Sequence, residues 1–496
     1  MIKQLLPFLA LLFSALYSQA QTPSLWGMTP HGGSNEGTLF QLDTTGAIGV
    51  DYHFSGLSTG SFPFGSFIQA SDTLLYGLTF TGGANYSGSD NGGALISYNI
   101  ATGTETILHS FGSGATDGVS PYASLLQASN GLLYGTTFWG GTNYLNYEEQ
   151  DGGTIFSYDI STGEENVLHS FGKYPDGSLV DGSLIQGKDS LLYGVTPLGG
   201  AFDTIYGGNG TIFSYNMATG TETVLYSFGS GGANDGDEPQ GALILVNDSL
   251  LYGLTTYGGK YDEGTIFSYN IHTGNVIITY NFGNGTDASR PSGALIRANN
   301  GLYYGLTWAG GTTDSGAIFS YNISNDNEIV LHSFGPGDGK TPFGSLIQAS
   351  NGLLYGTTFT GGTSDSGTVF SYNISTGTEK VIHNFTGADG ASPYGDLLEV
   401  TNVTSGINQV LVNNDQLSVY PNPSSDFVHA TIQLYHPSNL QLRLVNMLGQ
   451  TVWVTNAGTV SNYQNNISVA GLTDGVYVLQ ATTGTKIVTQ KLVVTH

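Results

Sequence analysis

The ten residues SNGLLYGTTF stand at 129–138 and return, letter for letter, at 350–359. Looser copies of the same string centre on Tyr76, Tyr193, Tyr252 and Tyr304, and LWGMT around Trp26 begins another, so that seven copies follow one another at intervals of 50 to 59 residues. Three further strings keep the same phase, in the style of PFGSLIQA, GTIFSY and VLHSF. A chain with this period is held to one supersecondary unit used repeatedly, because each copy must solve the same packing problem against its neighbours.

The turns between the strings identify the unit. Asn130-Gly131, Asn300-Gly301 and Asn351-Gly352 join the LIQA run to the LLYG run. Asn-Gly between two apolar segments is the strongest short hairpin signal, so these runs are antiparallel neighbours. Thr102-Gly103, Thr162-Gly163, Thr219-Gly220 and Thr376-Gly377 play the same part between the FSYN run and the VLHSF run. Gly-Gly pairs follow each LLYG run, and no stretch has helical periodicity. The expectation is an all-β meander of four-stranded units.

Seven such units form either an open solenoid or a closed propeller. The repeated region opens with an LWG strand that lacks an LIQA partner. It closes with Leu397–Val400, an LIQA-type strand that lacks an LLYG partner. Pairing these two orphans would close the ring and leave no free sheet edge, so the sequence predicts a seven-bladed β-propeller over residues 21–400.

Composition narrows the partners. Only 10% of the residues are charged, against about a quarter in ordinary globular proteins, and the 37 acidic and 11 basic residues leave a net charge of −26. The basic residues form no cluster, which excludes nucleic acid as a partner. The absence of cysteine excludes disulfides and thiolate chemistry. Residues 1–20, with Lys3, an apolar run from Leu5 to Leu16 and Ser18-Gln19-Ala20, have the layout of a secretory signal peptide. No later window is long and apolar enough for a spanning helix, so no transmembrane span is expected in the mature chain.

The strings LLYGTTFTGG, GTVFSYNISTGTEKVIHNF and DGASPYG resemble the glycine-rich GloVer tandem repeats of secreted bacterial proteins, over roughly residues 24–400. After Val400 the phase breaks. Residues 401–415 read as a linker, and residues 416–496 carry alternating strands in the length of a small Ig-like β-sandwich. There YPNPSSD (420–426), LGQ (448–450), LTDGVYVL (472–479) and KLVV (491–494) resemble the type A sorting domain of the type IX secretion system, with Asn446 where that family more often has Asp. The resemblance implies passage across the outer membrane, the type IX machinery as a partner, and a secreted or cell-surface location.

Catalytic motifs fail on context. Gly56-Leu57-Ser58-Thr59-Gly60 spells a nucleophile elbow and Gly339-Lys340-Thr341 part of a phosphate loop, but no helix follows either. His109, His169, His332 and His383 share one repeat slot with Tyr52, Tyr226 and Tyr280, and Tyr replaces an amphipathic ring rather than a metal ligand. Asp117, Asp176, Asp235, Asp287, Asp338 and Asp389 share another slot, as turn caps. Asp72, Asp189 and Asp248 take the hairpin slot filled elsewhere by Asn. No metal, cofactor or catalytic set is therefore expected. The favoured function is a non-catalytic module binding a glycan or a protein; the alternative is an extracellular propeller hydrolase or lyase acting on polysaccharide.

Departures from the repeat point to where a ligand would bind. Between the Gly-Gly pair and the next strand, four units have three or four residues, while three consecutive units have nine to eleven. The longer loops hold Tyr86, Tyr144, Tyr147, Phe202 and Tyr206, with Glu148, Glu149, Asp151 and Asp203 among them, and Trp139 stands just before its Gly-Gly pair. Equivalent loops of a propeller emerge on one face, so these aromatics are expected over one sector of one rim, suited to stacking on sugar rings or to a protein contact.

Overall fold

The computed structural model describes residues 24–400 and 416–495, apart from 44–45, 57–59, 73, 85–91, 115, 143–151, 173–174, 202–208, 233, 286, 421–423, 447–450, 474 and 484–485. Every regular element among them is a β-strand. The chain divides into two units, Met1–Thr401 and Asn402–His496.

The first unit contains seven four-stranded antiparallel sheets, and six of them are continuous in sequence. Sheet 2, for example, runs Ile68–Gln69, Leu75–Thr79, Ala94–Asn99 and Thr104–Ser110, and sheets 3 to 7 repeat this order up to Asn384. Sheet 1 is assembled from both ends of the unit. Its first strand, Leu398–Val400, pairs antiparallel with Ser24–Thr29 in the register Ser24 to Val400 and Trp26 to Leu398, followed by Thr38–Asp43 and Ile48–His53. The two orphan strands of the sequence thus complete each other.

Packing between sheets follows the same order. One apolar cluster joins sheets 2 and 3 through Leu78, Phe111, Leu125 and Phe156, and its counterparts join each successive pair. The last joins sheet 7 to sheet 1 through Tyr355, Val369, Phe385, Leu25, Phe40 and Leu397, while another joins sheet 1 to sheet 2. The array is therefore closed by its core as well as by its strand pairing.

These clusters explain why the repeat spells Tyr-Gly. Gly135 lies directly across the strand pair from Phe156, and a Cβ on it would stand 2.5 Å from Phe156 Cζ and 2.9 Å from Leu125 Cδ2. The fully buried Phe of each third strand occupies the space that glycine vacates. Sheet 2 departs from this at two places together: Ile96 faces Gly77, and Phe67 replaces the usual Leu and fills the gap, with its Cε1 2.8 Å from where a Cβ would be. Phe156→Ile alone leaves a void and Leu125→Phe alone overpacks, each costing about 1–3 kcal/mol, whereas the double substitution copies sheet 2. Denaturant unfolding of the two single variants and the double should return a favourable coupling above about 1 kcal/mol; additive losses would refute the exchange.

The second unit is one five-stranded sheet. Its long strand Phe427–Asn446 pairs with Gln416–Tyr420 along its first half, with Gly475–Thr483 along its second, and with Thr451–Ser468 along both, the register shifting between Gln433 and Ser438. Val428 and Ala430 from the first half pack in one cluster with Leu444 from the second, together with Ile467, Leu479 and Leu492. A single sheet thus folds its two halves onto a common core.

Candidate functional site

Each sheet is entered through a bent or bulged stretch of backbone, its entry turn, which in sheets 5 and 6 is a register shift within a continuous strand, and these stretches from all seven sheets line one cavity of about 80 Å³. Equivalent positions there are Tyr394, Phe64, Tyr122, Asp181, Gln240, Ser292 and Phe343, for sheets 1 to 7 in order. Glycine follows in six of them because the turns meet backbone to backbone: a Cβ on Gly182 would lie 2.4 Å from Gly241 O. Hydrogen bonds then pass from turn to turn around the cavity. Ala294 N donates to Ser345 Oγ (2.8 Å), Ser345 N to Asp396 Oδ1, Asp396 N to Ser66 Oγ (2.6 Å), Ser66 N to Ser124 Oγ (2.8 Å) and Ser124 N to Ser183 Oγ (3.0 Å). The relay stops at sheet 5, where Ala242 offers no side-chain acceptor.

The lining is asymmetric. Sheets 7, 1, 2 and 3 contribute aromatic rings, with Phe343 stacked on Tyr394 (centroids 4.9 Å apart), Phe64 stacked on Tyr122 (4.7 Å) and Tyr394 edge-on to both Phe64 and Tyr122. Phe80, Phe138 and Phe359 pack against these rings, and Trp308 against Phe343. The Arg290 guanidinium covers both Trp308 and Tyr257 and pairs with Glu263. Sheets 4, 5 and 6 contribute Asp181, Gln240 and Ser292 instead. Burial pushes the Asp181 carboxyl up to about 8, and its Oδ1 accepts no hydrogen bond. Desolvation also raises the Asp396 carboxyl and the phenols of Tyr122 and Tyr394, the last to about 12.

Of the ligand residues expected from sequence, Trp139 belongs to this arc, with its ring 5.0 Å from Phe138 and 5.8 Å from Phe80. Tyr86, Tyr144, Tyr147, Phe202 and Tyr206 lie outside the described residues. Sequence reasoning missed Phe64, Tyr122, Phe343 and Tyr394. The available signal was the slot itself: Pro63-Phe64, Pro121-Tyr122, Pro342-Phe343 and Pro393-Tyr394 stand against Val180-Asp181, Pro239-Gln240 and Pro291-Ser292.

A second set of polar groups lies at the seams between sheets. In every sheet the pairing of third and fourth strands carries a bulge, as between Ile155 and Phe156, and the extra residue reverses the alternation of the fourth strand. Glu165, before the bulge, therefore faces back to His109 of sheet 2, while His169, after it, faces forward to Glu222 of sheet 4. The His or Tyr slot and the Asp slot also meet: His169, His332 and His383 lie 2.9 Å from Asp176, Asp338 and Asp389, and the Tyr226 and Tyr280 hydroxyls donate to Asp235 and Asp287 at 2.8 Å. The aspartates cap their turns too, as when Asp117 Oδ2 accepts from Ser113 N. Read one slot at a time, His and Asp suggested only rings and caps; at five of the seven seams the further partner is a glutamate from the following repeat, whereas Val276 and Ile48 take its place at the other two.

An all-β protein of repeated sheets closed on themselves, with an aromatic and polar site where the repeats converge, is the class this geometry defines. The model of the Gloeobacter/Verrucomicrobia repeat matches residues 14–206, 84–303 and 202–419, and the chain belongs to that family. A secretion system C-terminal sorting domain matches residues 418–495. The protein is accordingly exported by the type IX system, to the cell surface or into the medium. No helix among the described residues is long and apolar enough to cross a membrane. Among solved structures, a candidate 6-phosphogluconolactonase from Bacteroides uniformis aligns at 15% identity and a TM-score of 0.51, over 76% of this chain and 99% of that one. The oligogalacturonate lyase of Vibrio parahaemolyticus aligns at 12% identity and a TM-score of 0.42, over 73% and 86%. No curated protein sequence matches significantly.

Proposed function

We propose that the repeat unit is a seven-bladed β-propeller that binds a glycan across its axial mouth without transforming it. A signal peptide at residues 1–20 and the sorting unit at 416–496, reached through a linker at 401–415, deliver it to the outside. The observation that carries the binding reading is the divergence of one repeat slot into four consecutive aromatics, Phe343, Tyr394, Phe64 and Tyr122, against three consecutive polar residues, Asp181, Gln240 and Ser292. A slot under packing pressure alone would hold one residue type, as the buried Phe of the third strands nearly does. A cavity of about 80 Å³ is too small to enclose a sugar, since ligand pockets run from about 300 Å³ upward, so the ligand lies over the mouth. There the faces of sugar rings stack on aromatics while Asp181 and Gln240 take hydroxyl hydrogen bonds. The long loops with Tyr86, Tyr144, Tyr147, Phe202 and Tyr206 would extend that surface.

The hydrolase or lyase reading draws on the two carboxyls at this one cavity, Asp181 and Asp396, both of which burial raises above the ordinary carboxylate range. A polysaccharide panel applied to the exported protein separates the two. Binding without product release, weakened at least tenfold by Tyr122→Ala and by Phe343→Ala, is the expected outcome. Release of oligosaccharides that Asp181→Asn abolishes would favour the enzyme, and binding indifferent to both aromatic substitutions would remove the axial site.

A further inference from the structure

The seam between sheets 2 and 3 differs from its counterparts. At the other three histidine seams the imidazole and aspartate stand at 2.9 Å, a closed hydrogen bond. Here His109 Nε2 lies 3.6 Å from Asp117 Oδ2 and 3.9 Å from Glu165 Oε2, and makes no hydrogen bond at all. One ligand atom from each of the three residues falls within 4.8 Å of the others, a grouping shared with His169, Asp176 and Glu222 and with His332, Asp338 and Glu379, where the closed His–Asp hydrogen bond occupies the imidazole. Asp117 Oδ1, on a side chain only 7% exposed, is buried without a partner, which among the described residues holds for no other aspartate of this slot; Glu165 Oε1 is unpartnered too, as is the equivalent oxygen at the other glutamate seams. Buried polar atoms left unmatched are costly, so such a group marks a missing partner.

We propose that His109, Asp117 and Glu165 form a binding site for a divalent transition-metal cation of the zinc type. With metal–ligand bonds of about 2.0–2.2 Å, two ligands in tetrahedral array stand about 3.3–3.6 Å apart, close to the spacing seen here and wider than a hydrogen bond. One imidazole with two carboxylates matches zinc or manganese, whereas calcium and magnesium take oxygen ligands. The two carboxylates balance the charge of the ion. A groove of about 600 Å³ lined by Asp117, Glu165, Ser113 and Thr142 gives the ion an entry path and leaves a fourth position to water. The ion would tie the fourth strands of sheets 2 and 3 together.

The internal repeats supply substitutions that the fold already accepts. His109→Tyr copies Tyr226 and Tyr280, and Glu165→Val copies Val276, which fills the Glu165 slot in sheet 5. Untagged exported protein, stripped with chelator, should bind one equivalent of Zn²⁺ by calorimetry and native mass spectrometry, with a rise in melting temperature. Each variant should fold, as its unchanged circular dichroism would show, and weaken Zn²⁺ binding at least tenfold, while Glu222→Gln at the next seam leaves it unchanged. No binding, three equivalents, or one equivalent that survives both His109→Tyr and Glu165→Val would overturn the assignment.

Discussion

Deleting residues 397–400 from the full chain should abolish cooperative folding of the repeat unit. Leu398–Val400 is the only strand of sheet 1 contributed by the far end of the unit, and Leu397 and Val400 are 3% and 1% exposed. Leu397 also lies over Gly27, in the cluster that joins sheets 7 and 1. Losing two such side chains costs about 2–3 kcal/mol each. The deletion further leaves Ser24–Trp26 as a bare edge and parts the last turn, with Asp396, from the strand that anchors it. A sum near 5 kcal/mol is comparable with the whole stability of many domains. Thermal melts and limited proteolysis should show a broad transition and rapid cleavage. Deletion of 405–408 is the control, and equal melting temperatures for the two deletions would show that the ring does not depend on this strand.

The protein should be more stable near pH 5.5 than near pH 8. Burial at the seams raises the carboxyls of Glu105, Glu222 and Glu379 to about 7 and that of Glu328 to about 8, from an ordinary 4.5. Each has an Oε1 that accepts no hydrogen bond, so desolvation of the charge goes uncompensated. Because these groups hold protons more tightly folded than unfolded, their contribution is fully present below the unfolded value and is lost as pH rises through 7 to 8. Asp389, held below its ordinary value by hydrogen bonds from Thr386 and by His383, acts in the opposite sense only at strongly acid pH. Melting temperature should therefore fall by several degrees from pH 5.5 to pH 8. Glu328→Gln removes the charge and brings an amide N–H that can donate to the Tyr280 hydroxyl oxygen while that hydroxyl donates to Asp287, so it should raise the melting temperature at pH 8 and flatten the profile. A melting temperature that rises with pH over this range would contradict the account.

Most of the sheet architecture was legible because the repeat is spelled by local chemistry. Asn130 and Asn351 set hairpins, and their side chains also reach the Tyr134 and Tyr355 hydroxyls. The unmatched strings at Trp26 and Leu397 announced their own pairing. The sites were legible only in part, because they are made between repeats. Nothing in the local string says that Glu165 meets His109, since a bulge one residue wide decides which neighbour each side chain faces. The slot that lines the shared cavity was likewise hidden: Tyr122 and Tyr394 are far apart in sequence and come into contact only where the sheets converge. Attention to loop length pointed to Trp139 and passed over the slot whose rings, through Phe80 and Phe138, pack next to it.

The exchange in sheet 2 bears on how such a gene can change. Phe67, immediately before the first strand, and Ile96, in the third strand of the same sheet, both border Gly77 and together fill the space over it. A recombination that spliced the front of this repeat to the back of another would bring Phe67 together with a second Phe over the same glycine, and the reciprocal product would leave a hole there. Crossovers outside the strand set would carry both residues together, so exchange of whole repeats is the route that keeps this pair matched.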